Sequence, residues 1–133
     1  MPALERGTLA YKIREHRINA GLTIKRLSEL SGVTACTIGA AEHGKSIPNL
    51  ANIAAIAAAL NIPSYVFTEA DKMPEETLLQ RLDKQRVMQC LSWKELAKNI
   101  GVDIADLYKY KQGKKVWPRL IEHIVKWLDN SNN

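Results

Sequence analysis

Residues 21–45 read GLTIKRLSELSGVTACTIGAAEHGK, and this stretch decides the fold. Thr23 and Thr34 each precede a run of residues with apolar side chains at helical spacing, which is where helix N-cap residues are found. Gly32 separates the two runs, and Gly44 ends the second one. The sequence therefore predicts two short helices joined by a tight turn of about three residues.

Apolar residues continue at helical spacing on both sides of this stretch. They run from Leu9 to Ile13 before it and from Leu50 to Leu60 after it, and Pro63 fits the first turn of a short last helix. Residues 1–69 are therefore predicted to form one domain of five helices. The polar segment 70–76 is predicted to be a linker.

The same pattern returns in the second half of the chain. An offset of 69 residues relates Leu22-Thr23 to Leu91-Ser92, Gly32-Val33 to Gly101-Val102, and Gly44-Lys45 to Gly113-Lys114. Because one offset fits cap, core and glycine positions together, we expect a tandem repeat. Residues 77–133 are then a second, diverged domain of about four helices, and the fold class is all-α.

Composition and charge limit the classes of function. The 133 residues are 46% hydrophobic and carry a net charge of +5, which suits a folded protein with a polyanionic partner. Cys36 and Cys90 are far apart and predict neither a disulfide framework nor a metal site. The longest apolar run, residues 53–60, is short against the roughly 20 residues of a membrane span. We expect a cytoplasmic, nucleoid-associated protein without a metal, cofactor, small-molecule substrate or membrane partner.

Two helices joined by a tight turn suit double-stranded DNA, because the second helix projects into the major groove while the first crosses the phosphate backbone. Over residues 9–67 the sequence resembles the phage-repressor family, the Cro/lambda-repressor-like or Xre-type helix-turn-helix proteins. A diverged copy of the pattern covers residues 78–128. The resemblance is carried by Ile13, Arg17, Gly21-Leu22-Thr23, Leu27-Ser28, Gly32-Val33-Thr34, Ile38, Glu42-His43-Gly44-Lys45, Pro48, Leu50, Ile53 and the segment from Ala57 to Ile62.

The resemblance implies a bacterial or phage transcription regulator, with a repressor expected, that binds an inverted-repeat operator as a homodimer. It also implies a structural ion pair between Arg17 and Glu42 that joins the first helix to the third. No enzyme is predicted, because His16, His43 and His123 lie on separate segments and no nucleophile has a base visible in the sequence.

DNA contacts are expected at the helix starts, on the second helix of each motif (the recognition helix) and in the loop after it. The expected residues are Thr23, Thr34, Ala35, Cys36, Thr37, Ala40 and Lys45 in the first domain, and Ser92, Trp93, Ile104, Tyr108, Lys109, Lys114 and Lys115 in the second.

The first recognition helix leaves two alternatives open. In the family the positions of Ala35, Cys36, Gly39 and Ala40 usually face base edges, but these residues cannot make the bidentate hydrogen bonds of Arg, Asn or Gln. The helix either recognises DNA by shape and by contact with thymine methyl groups, or it has become a docking surface for a protein, as in an antitoxin or anti-repressor.

The second domain has a different chemical profile. Residues 81–119 contain ten Lys and Arg against four Asp and Glu, an excess of six positive charges. Lys111 stands where the family pattern has Glu, opposite Arg86, so we expect both cations to be free to face solvent or phosphate. Trp117 and Trp127 are predicted to lie in the core, because their neighbours are apolar at helical spacing.

Overall fold

A computed structural model of the protein describes residues 8–131, and this part of the chain contains helices and no strand. The chain divides into two compact units, residues 1–69 (the N-terminal unit) and 70–133 (the C-terminal unit). None of the described helices is both long and apolar enough to span a bilayer. The N-terminal unit contains α1 (Leu9–Asn19), α2 (Ile24–Ser31), α3 (Ala35–Glu42), α4 (Leu50–Ala59) and α5 (Tyr65–Thr68); the C-terminal unit contains a 3-10 helix (Ala70–Lys72), α6 (Leu78–Met88), α7 (Trp93–Ile100), α8 (Ile104–Lys111) and α9 (Pro118–Ser131).

The predicted caps and turn between α2 and α3 are confirmed. The Thr23 hydroxyl accepts a hydrogen bond from the Arg26 amide at 3.0 Å, and the Thr34 hydroxyl accepts one from the Thr37 amide at 3.1 Å. Gly32 lies between the helices at φ +78°, a left-handed conformation that any larger residue adopts at a cost. The turn is therefore specified locally by two hydroxyls and one glycine.

The core of the N-terminal unit fixes which face of α3 points outward. Ile13 of α1, Leu27 of α2, Ile38 of α3 and Ile56 of α4 are fully buried and belong to one cluster. Because α3 places Ile38 and the adjacent Ala41 in this cluster, its opposite side is left toward solvent.

An ion pair ties α1 to α3. Arg17 Nε lies 2.7 Å from Glu42 Oε2 and Arg17 Nη2 lies 2.9 Å from Glu42 Oε1, so the contact is bidentate. The third nitrogen, Nη1, donates to the Leu22 carbonyl at 2.8 Å. Glu42 is only 4% exposed, and its hydrogen bonds raise the pKa of the Arg17 guanidinium. The link between α1 and α3 is the one that the resemblance implies, and the contact with the Leu22 carbonyl adds the start of α2 to it.

The C-terminal unit repeats several of these features at the same offset. The bounds of α6, α7 and α8 are those of α1, α2 and α3 with 69 added to each number. Leu82, Leu96 and Leu107 are fully buried at the positions that correspond to Ile13, Leu27 and Ile38. Arg86 Nη1 donates to the Leu91 carbonyl at 2.9 Å, as Arg17 does to Leu22.

The segment predicted as a linker contains regular structure. Its first three residues form the 3-10 helix, in which Ala70 is fully buried. Helix α6 begins only at Leu78, after a capping box in which Thr77 and Gln80 exchange hydrogen bonds. The Thr77 cap therefore sets the start of α6.

The prediction that Trp117 lies in the core is wrong. Trp117 is 80% exposed, whereas Trp127 is half-buried and packs against the core of the C-terminal unit. Helix α9 begins at Pro118, so Trp117 precedes the helix and the apolar spacing of α9 does not apply to it.

Replacing Arg17 by Ala is expected to lower the free energy of unfolding by about 3 kcal/mol, because the buried Glu42 carboxylate would lose its partner. Urea unfolding followed by circular dichroism measures the change. Arg26→Ala is the matched control, since the Arg26–Glu29 pair is about half-exposed on both sides; its effect should stay within about 0.5 kcal/mol. Equal effects of the two substitutions would contradict the structural role of Arg17.

Candidate nucleic-acid interface

The outward face of α3 is small and uncharged. Ala35 and Cys36 are exposed, and Thr37, Gly39 and Ala40 are half-buried. No side chain among these five extends beyond a few atoms, so the helix backbone can come close to a partner surface. This face therefore suits shape recognition and apolar contact better than bidentate hydrogen bonding.

The N-terminal ends of α2 and α3 suit phosphate groups. Neither helix has an acidic residue in its first turn, and the first amides of a helix have no acceptor within the helix itself. The Thr34 hydroxyl donates to the Thr37 hydroxyl at 2.8 Å as well as capping α3. Lys25 and Lys45 are exposed on the same unit. The helix ends and these cations supply positive potential beside a neutral recognition helix.

Helix α8 carries different chemistry at its two ends. Asp103 caps its start by accepting from the Ala105 amide at 2.8 Å, and Asp106 lies in the first turn. Tyr108 and Lys109 are exposed further along, and Lys114 and Lys115 are exposed in the loop that follows. Ile104, also an expected contact, is half-buried and packs against the core.

Three positions that hold neutral or basic residues in the N-terminal unit hold acidic residues in the C-terminal unit. Arg26, Thr34 and Thr37 are replaced, at an offset of 69, by Glu95, Asp103 and Asp106. All three acids lie at the beginning of α7 or α8. The carboxylates make these helix ends less favourable for phosphate than the corresponding ends in the N-terminal unit.

Ser92, an expected DNA contact, is engaged within its own helix. Its hydroxyl accepts from the Glu95 amide, and its amide donates to Glu95 Oε1, both at 3.1 Å. The hydrogen bond from the Ser92 amide to Oε1, together with the nearby Ser92 hydroxyl, lowers the pKa of the Glu95 carboxyl, so the group stays charged at neutral pH. A negative charge next to Ser92 makes this position unfavourable for a phosphate contact.

The prediction that Arg86 and Lys111 are free cations is wrong. Arg86 forms an ion pair with Asp83 at 2.8 Å, and its Cζ lies 4.6 Å from the centre of the Trp93 ring. Lys111 Nζ lies 4.0 Å from the same ring centre and 5.3 Å from that of Tyr108. Trp93 is half-buried and acts as a structural contact for two cations.

Two exposed apolar side chains were not anticipated as functional residues. Ile47 is 82% exposed and Trp117 is 80% exposed. Each lies in the loop after the recognition helix of its unit and directly precedes a proline, Pro48 or Pro118. In the sequence, the only sign that these two residues are related is that each directly precedes a proline.

The described residues contain no group of three His, Cys, Asp or Glu side chains placed to hold a metal ion.

The model of a family described as Helix-turn-helix matches residues 13–67. The match supports an Xre- or Cro-like helix-turn-helix unit over this range. A unit of this kind suggests a DNA-binding transcription regulator. It covers α2, the turn and α3, and it ends before the C-terminal unit begins. Comparisons with curated proteins and with solved structures gave no match.

Gly39→Ala is expected to stabilise the protein by about 1 kcal/mol, the cost of glycine relative to alanine inside a helix. A Cβ atom added at Gly39 meets nothing within 4 Å, so no packing clash opposes the gain. Thermal and urea unfolding measure it, and Ala40→Gly, one residue along the same helix, should have the opposite effect. A destabilised Gly39→Ala variant would show that this face is packed and not open.

Lys111→Met is expected to lower the free energy of unfolding by about 1 kcal/mol, because it keeps the length of the side chain but removes the cation above Trp93. Tryptophan fluorescence during urea unfolding reports this directly, since Trp93, Trp117 and Trp127 all lie in the C-terminal unit. The exposed Lys98 provides the control Lys98→Met, which should change stability by less than about 0.5 kcal/mol. An unchanged Lys111→Met variant would rule out a stabilising contact.

Proposed function

We propose that the protein is a sequence-specific DNA-binding repressor that uses α3 of the N-terminal unit as its recognition helix. The observation that carries this proposal is the outward, uncharged face of α3 within the segment that matches the helix-turn-helix family. Binding of α3 to an operator would block access of the polymerase. No reaction takes place on the protein.

Gly39 lowers the stability of α3, and its presence there supports a close approach between α3 and its partner. The unit's own packing does not require glycine there, because the space above it is open. A glycine in a helix still lowers stability. The small side chains around it allow the backbone of α3 to lie deep in a major groove, with methyl groups against thymine.

The homodimer belongs to this proposal. A two-fold pair of recognition helices contacts two half-sites about 34 Å apart, which matches an inverted-repeat operator. Ile18 and Leu30 are large apolar side chains that the N-terminal unit leaves about half-exposed. They are available for an interface between two copies.

We also propose that the C-terminal unit is a diverged second copy of the helix-turn-helix unit. The matching helix bounds, the equivalent buried leucines and the shared arginine–carbonyl hydrogen bond support this. In such a copy the exposed cations Lys109, Lys114 and Lys115 are the expected nucleic-acid contacts.

The decisive experiment starts with selection of bound duplexes from random DNA by the full chain. Ala35→Glu is then expected to weaken binding to the selected duplex at least tenfold, because it places a carboxylate on the exposed first turn of α3 against the phosphates. Fluorescence anisotropy at two salt concentrations measures the affinity, and binding should weaken steeply as salt rises.

Ala58→Glu is the matched control. Ala58 is exposed on α4 and is not part of the recognition helix, so the same change of charge should leave the affinity within about twofold. Enrichment of no duplex, or equal losses in the two variants, would contradict the proposal.

A further inference from the structure

Trp117 stands between two grooves on the C-terminal unit. The smaller groove has a volume of about 510 Å³ and is lined by Asp106, Lys109, Lys115, Val116, Trp117 and Pro118. We call it the Trp117 groove. A larger groove of about 830 Å³ shares Trp117 and Pro118 and continues to Arg119, His123 and Lys126. Both volumes lie within the range of sites for small organic groups.

From this arrangement we propose that the C-terminal unit binds single-stranded DNA, with an unpaired base stacked on the Trp117 ring and the adjacent phosphates held by Lys109 and Lys115. The inference deepens the proposed function and rests on it for DNA as the partner. It assigns to the C-terminal unit a form of DNA different from the duplex that α3 contacts.

The charge distribution disfavours a duplex at this unit. A helix-turn-helix unit enters the major groove with the N-terminal part of its recognition helix. In α8 that part carries Asp103 and Asp106, and the first turn of α7 holds Glu95 next to the exposed Lys94, so three carboxylates and one cation would face the phosphates of both strands. The cations instead lie toward the end of α8 and in the loop after it, next to Trp117.

The aromatic ring favours an unpaired base. In a duplex each base is already stacked on its neighbours, so an aromatic side chain gains a stacking partner only where a base is free. Trp117 has most of its surface exposed and two lysines line the same groove, which is the combination of stacking platform and backbone cations that single strands require. Asp106, also in the groove, can accept a hydrogen bond from a base amino group.

The test compares a labelled single strand with the same sequence as a duplex, using the full chain and fluorescence anisotropy. Trp117→Leu is expected to weaken single-strand binding about tenfold, equivalent to about 1.4 kcal/mol, and to change duplex binding less than twofold. Trp117→Phe keeps an aromatic ring and should retain single-strand affinity within about threefold of the original chain. Quenching of tryptophan fluorescence by the single strand should disappear in both variants.

Ile47→Ala is the control, because Ile47 is equally exposed before a proline in the N-terminal unit but has no ring. It should leave single-strand affinity unchanged. Equal losses in Ile47→Ala and Trp117→Leu, an unaffected Trp117→Leu variant, or tighter binding of an RNA strand of the same sequence would each overturn the proposal. If the original chain binds duplex DNA while these single-strand predictions fail, only this inference is contradicted. If the original chain binds neither form of DNA, the proposed function is contradicted as well.

Discussion

One buried charge contact holds α3 of the N-terminal unit in the orientation that its core residues set. Arg17 reaches from the end of α1 to Glu42 at the end of α3 and to the Leu22 carbonyl before α2. Because Glu42 is almost fully buried, α3 cannot turn or slide without leaving a carboxylate unpaired, which is expensive in a protein interior. The opposite face of α3 is thereby held in solvent, and its small side chains can serve as a rigid contact surface.

The C-terminal unit keeps the arginine and changes its partner. Arg86 still donates to the carbonyl before α7, but its carboxylate partner is Asp83 on its own helix. The position of Glu42 is taken by Lys111, and the link from α6 to α8 passes through the Trp93 ring, which both cations contact. An aromatic ring between two cations replaces an ion pair. This exchange leaves more positive charge near the end of α8, while carboxylates occupy its start.

Local rules account for what the sequence could predict. Thr23, Thr34 and Gly32 act through hydrogen bonds and backbone angles within a few residues, so their roles are visible in the linear pattern. Trp117 and Lys111 were predicted wrongly for two different reasons. Helix α9 begins at Pro118, one residue after Trp117, so its apolar spacing does not extend to Trp117, and the contact of Lys111 depends on α7 bringing Trp93 beside α8. The neutral face of α3 was visible in the sequence; the groove beside Trp117 was not.

The two units differ in surface chemistry, and their presence in one chain has an effect on binding that neither unit has alone. Each proposed contact is modest, since α3 lacks bidentate side chains and Trp117 offers a single ring. Because both units belong to one chain, occupation of one raises the effective concentration of the other, and the affinities combine without any new contact. With a duplex preferred by one unit and unpaired bases by the other, that gain is largest where the two forms of DNA meet.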